Sequence, residues 1–277
     1  MSNLDPAPAA LSLRPGVVRA VDVLEARKAA IGDGTEVRRL LPQRALRTIG
    51  AWCFLDHYGP DDVSAGPGMQ VPPHPHIGLQ TASWLFDGLV LHRDSLGNEQ
   101  LIKPGELNLM TSGRGIAHSE ESPSGRPALL HGVQLWIALP REHRFTDPDF
   151  THHANLPVID SGTARITVVA GEHAGERSPA RVFAPLTGLE VVLADGGEVT
   201  LSVREDFEYG VLAADGPATV AAGTRANYPN PACASIGPEE IAVTRDAWMN
   251  GEFGEVRGYQ GNPLAAPPMP PGGLKAR

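Results

Sequence analysis

The sequence predicts an all-β protein built from two small β-barrels in one chain, with few and short helices. Hydrophobic residues make up 42% of the 277 residues, which is enough for packed cores. Gly and Pro are abundant, at 31 and 26 residues, and both interrupt helices and mark turns. Short apolar segments alternate with such turns in two successive runs, and closely spaced short strands are typical of sandwiches and barrels.

The first run of segments lies in the N-terminal half. The pair Asp87-Gly88 stands between two apolar segments, which is a strong signal for a tight hairpin. Helical periodicity is weak, and residues 27–32 are the only modest helix candidate in this run. We predict strands or strand-like segments at 17–21, 48–56, 79–86, 89–94, 101–102, 107–110 and 131–138.

Residues 140–157 separate the two runs, and because they are polar with several prolines we interpret them as a connection between domains. A second helix candidate covers 246–256, and a Pro-rich tail begins at Asn262. The predicted strands of the second run are 164–170, 181–185, 189–193, 198–203, 209–213 and 218–221. We therefore predict one domain at 1–145 and a second at 146–277.

The composition argues against several classes of protein. A net charge of −9 and a pI of about 5.5 disfavour a basic surface for phosphate backbones, so direct nucleic-acid binding is not expected. The two cysteines are far apart and provide neither a disulfide framework nor a thiolate zinc site. We recognise no signal peptide, and no segment reaches the ~18 apolar residues of a membrane span. We therefore expect a cytoplasmic protein with no membrane partner.

The first cluster of metal-binding side-chain types is Pro73-His74-Pro75-His76. Side chains two residues apart in an extended chain point to the same side, and Pro75 biases His74 to an extended conformation. The two imidazoles can therefore face one metal ion. Two unrelated loop histidines are the alternative, because a single His-x-His pair is a weak signal.

His118 and Glu120 repeat the two-residue spacing further along the chain. They add a third nitrogen and a carboxylate oxygen to the imidazoles of His74 and His76. Such a set suits Fe, Mn, Co, Ni or Zn, and it leaves coordination positions open on an octahedral ion. Because a small barrel can bring the two segments together, we predict one metal site at these four residues.

Other polar side chains have simpler interpretations. We expect His57 in a turn or in packing, and His131 as a satisfied core histidine. His92 is expected to make hydrogen bonds within the barrel, with a place behind the metal ligands as the alternative. Arg93 and Asp94 are interpreted as a solvated ion pair of little energetic weight.

Several blocks of the first half together resemble one known family. Gly68, His74-x-His76, Gln80 and Gly88 are spaced like the first motif of the cupin superfamily. The blocks FLDHYGP, HPHIG, HRDSLG and PGELNLMTSGRGIAHSE are similar to those of its pirin branch. The chain therefore resembles the pirin family over about residues 17–140.

The resemblance implies a fold, a ligand set and an activity. The fold is a pair of stacked cupin (jelly-roll) barrels, and the metal ligands are His74, His76, His118 and Glu120. The metal of this family is usually iron, and several members cleave quercetin with dioxygen. Glu120 would also be catalytic, by accepting the proton of the flavonol 3-hydroxyl. Purified protein could carry Zn, Ni, Mn, Co or Cu instead of Fe²⁺.

Two departures from the general cupin pattern affect this assignment. Gln80 stands where general cupins place a ligand Glu, and since an amide cannot be an anionic ligand, Glu120 is the better carboxylate. The second half contains no His-x-His pair, and no histidine follows His173. We therefore expect a metal-free C-terminal barrel with a structural or gating role.

The sequence leaves the function of the metal open. One hypothesis is a dioxygenase that opens flavonols such as quercetin, with a small aromatic substrate. The alternative is a non-enzymatic, iron-dependent regulatory protein that binds a transcription factor or a metabolic enzyme, and a third is a metal that only stabilises the barrel. An apolar cavity that reaches the metal would favour the enzyme. A monomer is favoured over a larger assembly.

Overall fold

The computed structural model describes residues 11–12, 23–220 and 238–268. The predicted strand at 17–21 and the end of the Pro-rich tail lie outside these ranges. The elements are β1 (Leu11–Ser12), β2 (Arg27–Ile31), β3 (Thr35–Leu41), β4 (Trp52–Asp62), β5 (Gln70–His76), β6 (Leu79–Asp87), β7 (Val90–Asp94), β8 (Glu99–Ile102), β9 (Leu107–Thr111), β10 (Ile116–Glu121), β11 (Leu129–Ala138), β12 (Asp149–His153), β13 (Val158–Asp160), β14 (Ala164–His173), β15 (Glu176–Arg177), β16 (Thr187–Leu193), β17 (Ala218–Thr219) and α1 (Pro238–Met249). The predicted all-β class is confirmed.

Two sheets face each other in the first half. The larger sheet has the strand order β12-β9-β6-β11-β4-β3-β2, and the smaller has the order β5-β10-β7-β8. Val37 and Leu85 of the larger sheet and Val71 and Val90 of the smaller sheet belong to one buried apolar cluster between them. Strands β5 and β7 run in the same direction past this cluster, because both are antiparallel to β10. The C-terminal residues of both strands therefore line the end of the barrel that is opposite the cluster.

The larger sheet is buried on both faces, because side chains alternate along each strand. On β6, Leu85 faces the interior of the barrel, whereas Trp84 belongs to an apolar cluster with Val169 and Leu186 of the second half. The indole Nε1 of Trp84 also donates a hydrogen bond to Glu190 Oε1, at 3.2 Å. The two halves of the chain are thus packed through the outer face of this sheet.

Three of the six strands predicted for the second half do not form in the described part of the chain. β14 pairs with β13, β15 and β16, and the predicted strands at 164–170 and 189–193 are confirmed. The predicted strands at 181–185, 198–203 and 209–213 are wrong, since the chain forms no ladder there. Apolar side chains in the last two segments stay in solvent, as with Val203 at 58% and Val211 at 59% exposure. High β-propensity alone does not produce a strand, because its effect depends on packing against neighbouring strands and on burial.

Both helix predictions need correction. Residues 27–32 hold strand β2, which pairs with β3 after the Gly32-Asp33-Gly34 turn. The C-terminal helix begins earlier than predicted and ends at Met249, so residues 250–256 lie beyond it. The expected connection at 140–157 contains β12, which extends the larger sheet past residue 145 by pairing with β9. The division at residue 145 stays a prediction.

The C-terminal segment returns to the first half and covers the outer face of the smaller sheet. Ala117 of β10 packs with Trp248 of α1 and with Val256. The backbone N–H of Leu264 donates to the carbonyl of Pro73, at 2.8 Å. α1 has 12 residues, and no helix in the described ranges is long and apolar enough to cross a membrane. The two strands that carry the predicted ligands are therefore supported from outside the barrel.

Candidate metal centre

Strands β5 and β10 are antiparallel neighbours, and they carry all four predicted ligands. Their register places His118 opposite His74 and Ile116 opposite His76. The register shifts between His118 and Glu120, and such an irregularity re-aims the side chains beside it. The two-residue spacing seen in the sequence thus becomes a common interior face of two paired strands.

Three of the predicted ligands form a compact imidazole cluster. The Nε2 atom of His76 lies 3.0 Å from Nε2 of His74 and 3.0 Å from Nε2 of His118. The three ring centroids are 4.6 to 4.9 Å apart. The Nδ1 atom of His74 lies 2.9 Å from the carbonyl oxygen of Pro72, to which it donates when protonated. That hydrogen bond leaves the Nε2 lone pair of His74 directed at the cluster.

Burial keeps these imidazoles neutral. Desolvation lowers the pKa of His76 and of His118 well below the usual value, and neighbouring histidines lower both further. The pKa of His74 is also lowered by burial, although its hydrogen bond to Pro72 opposes the shift. Metal ions bind the unprotonated nitrogen, so three neutral imidazoles with converging lone pairs suit a cation.

Glu120 lies on the other side of His118. Its carboxylate groups with His118 and His92, whose ligand atoms all lie within 4.8 Å of one another. The hydroxyl of Ser83 donates a hydrogen bond of 2.8 Å to Glu120 Oε1. The structure therefore places the four predicted ligands in two overlapping groups that share His118.

The sequence analysis did not predict that Asp94 is buried and contacts His92. The expected solvated pair of Arg93 with Asp94 is wrong, because Asp94 is 1% exposed while Arg93 pairs with Glu99. Burial raises the pKa of Asp94, but hydrogen bonds from His92 and Asn98 outweigh it and lower the pKa overall. The expected hydrogen bonding of His92 within the barrel is confirmed. Strand alternation, which puts residues 92 and 94 on one face, is the signal that could have indicated both.

The part of the chain that carries the candidate site also matches a known protein family. The family model described as Pirin matches residues 34–137. A Pseudomonas aeruginosa protein that carries the provisional name quercetin 2,3-dioxygenase is 42% identical over 283 aligned positions, which cover 88% of this chain and 89% of that protein. The chain belongs to the pirin family.

Two further relatives agree with this membership. A pirin-like protein of Caulobacter vibrioides is 44% identical over 171 positions, which cover 59% of each chain. The crystal structure of a quercetin 2,3-dioxygenase from Acinetobacter baumannii superposes with a TM-score of 0.76 at 35% identity, covering 89% of this chain and 94% of that one. The predicted cupin fold and the resemblance to pirins are thereby confirmed.

Gln80 of this pirin lies away from both groups of metal-binding side chains. It is fully buried on the outer face of β6, where its Nε2 donates to Thr111 Oγ1 and to the carbonyl of Arg181, each at 2.9 Å. The amide therefore links the larger sheet to the second half of the chain.

Two of the cavities among the described residues of this pirin lie outside the imidazole cluster. The larger, of ≈ 380 Å³, lies beside β9 and β12 and is lined by Arg181 and Phe183 among others. The smaller, of ≈ 240 Å³, reaches Tyr58, whose pKa is raised by burial and by the charge of Glu120. Neither is lined by the three clustered histidines, so neither is the cavity at the metal that would favour an enzyme.

Proposed function

We propose that this pirin is a mononuclear dioxygenase that opens flavonols such as quercetin, with Fe²⁺ held by His74, His76, His118 and Glu120. The observation that carries the proposal is the cluster of three neutral imidazoles, two buried and one partly buried, whose Nε2 atoms converge beside a carboxylate. The chain also matches, over most of its length, two proteins that bear the name quercetin 2,3-dioxygenase.

The donor set supports an ion that keeps coordination positions open. His74, His76 and His118 offer three imidazole nitrogens, and Glu120 offers a carboxylate oxygen. Such a set suits Fe, Mn, Co, Ni or Zn. We choose Fe²⁺ because the resemblance to the pirin family implies iron.

The residues around the cluster suit an aromatic substrate with an acidic hydroxyl. Bound iron would supply Lewis acidity, which makes a flavonol hydroxyl easier to deprotonate, and open positions for substrate and dioxygen. Glu120 would accept the proton of the 3-hydroxyl, and the Ser83 hydroxyl orients the carboxylate for this role. The ring of Trp136 lies 4.9 Å from His76 and stacks on Phe54, which forms a flat aromatic wall beside the cluster.

The overall reaction balances with dioxygen as the only co-substrate. Both oxygen atoms enter the flavonol, the central ring opens, and one ring carbon leaves as carbon monoxide.

The indole Nε1 of Trp136 is buried without a hydrogen-bond partner among the described residues. It is therefore free to donate to an oxygen of the bound flavonol.

The test begins with metal-free protein that is loaded with Fe²⁺ and mixed with quercetin without oxygen. Admission of air should then bleach the flavonol absorbance and release one carbon monoxide for each quercetin consumed. His76→Gln should abolish bleaching because it removes the nitrogen that lies closest to both other imidazoles. His173→Gln, a change on β14 of the second half, is the matched control and should retain the activity. Fully iron-loaded wild-type protein that leaves quercetin unchanged would contradict the proposal.

A further inference from the structure

Both ring nitrogens of His118 contact other imidazoles. Its Nε2 faces the imidazole cluster, and its Nδ1 lies 3.3 Å from Nδ1 of His92. The other nitrogen of His92, Nε2, lies 3.3 Å from Asp94 Oδ2. All three side chains are buried, so water does not compete for these contacts.

The positions of the protons along this chain of groups follow from the partners. A histidine that binds a metal through Nε2 carries its proton on Nδ1. The Nδ1–H of His118 then needs an acceptor, and Nδ1 of His92 can accept only if His92 carries its own proton on Nε2. That second proton points at Asp94. With these proton positions, each N–H group between a metal-bound His118 and the carboxylate of Asp94 has an acceptor.

The end of the chain is an anchored carboxylate. Asp94 Oδ1 accepts hydrogen bonds from the backbone N–H groups of Leu96 and Asn98, at 2.9 and 3.0 Å. The side-chain amide of Asn98 donates to both carboxylate oxygens, at 3.1 and 2.9 Å. The ring of His92 is fixed as well, because it stacks on Phe150 with centroids 4.4 Å apart and an angle of 15°.

We propose that His92 and Asp94 form a hydrogen-bonded relay that orients His118 and thereby strengthens metal binding. His92 is a positioning residue in this scheme: it acts on the metal only through His118. The inference rests on the proposed role of His118 as a ligand. Partners of this kind, behind a metal-bound imidazole, typically change metal affinity by about 10- to 100-fold when they are removed.

Three variants separate the hydrogen bonds from the packing. His92→Phe keeps an aromatic ring against Phe150 but can neither accept from His118 nor donate to Asp94. His92→Gln restores both functions, since its amide oxygen accepts and its amide nitrogen donates. Asp94→Asn keeps an acceptor and loses the charge. Arg93→Gln, whose side chain points to the opposite side of β7, is the control.

The experiment measures the dissociation constant of Co²⁺ for the metal-free full-length chain, by competition with a chromophoric chelator, together with the number of ions bound. We expect one ion per wild-type chain, an affinity about 10- to 100-fold lower for His92→Phe, and affinities near that of the wild type for His92→Gln and Arg93→Gln. Asp94→Asn should fall between the two groups. The visible spectrum of bound Co²⁺ should change in His92→Phe, because the orientation of one ligand is no longer fixed.

Each contrary result has its own meaning. Equal affinities of wild type and His92→Phe would overturn the relay, even if the variant unfolds more easily, because a merely structural role lowers stability alone. An equally low Co²⁺ affinity of His92→Gln and His92→Phe would also overturn the relay. Two ions per chain would mean that the Nδ1 atoms are ligands and not hydrogen-bonding partners. A wild-type chain that binds no ion would overturn the metal site itself, and the relay with it.

Discussion

A second pair of histidines meets on the face of the larger sheet that also carries Phe86. The Nε2 atoms of His57 and His131 lie 2.8 Å apart, so at most one proton can lie between them. Burial, the nearby guanidinium of Arg38 and His131 itself lower the pKa of His57 to about 3. Both residues are buried, as the sequence indicated when it favoured packing for His57 and a satisfied core position for His131.

This pair predicts how stability depends on pH. The unfolded chain protonates His57 near pH 6.5, but the folded chain does so only near pH 3. The contribution of His57 to the free energy of unfolding is therefore fully present above about pH 6.5. It falls as the pH decreases, by up to about 1.4 kcal/mol per pH unit. The variant His57→Gln lacks this contribution, so its free energy of unfolding should decline less steeply between pH 6.5 and pH 5.

Urea unfolding at pH 7, 6 and 5 measures this difference. Burial lowers the pKa of the partner His131 and Arg38 lowers it further, whereas Asp215, Asp61 and Asp87 oppose the shift. His173→Gln, far from the pair on β14, should keep the slope of the wild type. Parallel pH profiles for His57→Gln and wild type would contradict the prediction.

The metal-binding side chains show what spacing in a sequence can and cannot predict. His74 and His76 share a face because a strand repeats every two residues, so their pairing could be predicted from local geometry alone. The partnership of His92 with His118 depends on the register of two strands, which places Asp94 opposite His118 and His92 opposite Glu120. Register arises from the packing of the whole barrel, so no local pattern gives it.

Among the elements, the predicted strands that pair inside the barrel are confirmed, but β3, β5 and β10 were not among them, and the strands predicted wrongly lie in the second half. Residues 27–31, inside the predicted helix, form an edge strand whose short, mixed sequence carries no strand pattern, and only the pairing with β3 makes it extended. Residues 198–203 have the composition of a strand but pair with no other strand in the described part of the chain. In both segments, pairing and packing in the folded chain determined the conformation, and local propensity did not.

The C-terminal cover of the smaller sheet makes a testable contribution to stability. Trp248 packs on Ala117 of β10, and its Nε1 donates to the carbonyl of Leu264, at 2.8 Å. Trp248→Ala should lower the free energy of unfolding by about 3 kcal/mol, the lower end of the range for buried aromatic side chains, since the ring lies at the edge of a small cluster.

The matched variant Trp248→Phe keeps most of the packing and loses the hydrogen bond. It should cost about 1 kcal/mol. Urea denaturation followed by circular dichroism measures both values at a pH where His57 does not titrate. If Trp248→Ala is no less stable than Trp248→Phe, the packing against Ala117 does not contribute, and the cover is held by its hydrogen bonds alone.

At the scale of the whole molecule, the packing of one half on the other determines how the chain unfolds. Ala82, Trp84 and Ile137 of the larger sheet share a buried cluster with Ala170 and Leu186 of the second half. The C-terminal helix then returns to the first half, so the chain crosses between the two packing regions twice. We therefore expect one cooperative transition, even though the sequence suggests two domains.

The distribution of tryptophan allows a direct test, because all four tryptophans lie at positions 52, 84, 136 and 248, outside residues 146–237. Leu186→Ala should destabilise the protein by about 2 to 5 kcal/mol through the cavity it leaves. With one transition, tryptophan fluorescence and circular dichroism should report the same lowered urea midpoint. Val192→Ala, on an exposed position of β16, should change stability by less than about 0.5 kcal/mol. Different urea midpoints for fluorescence and circular dichroism, or two separate steps in either signal, would show that the halves unfold independently.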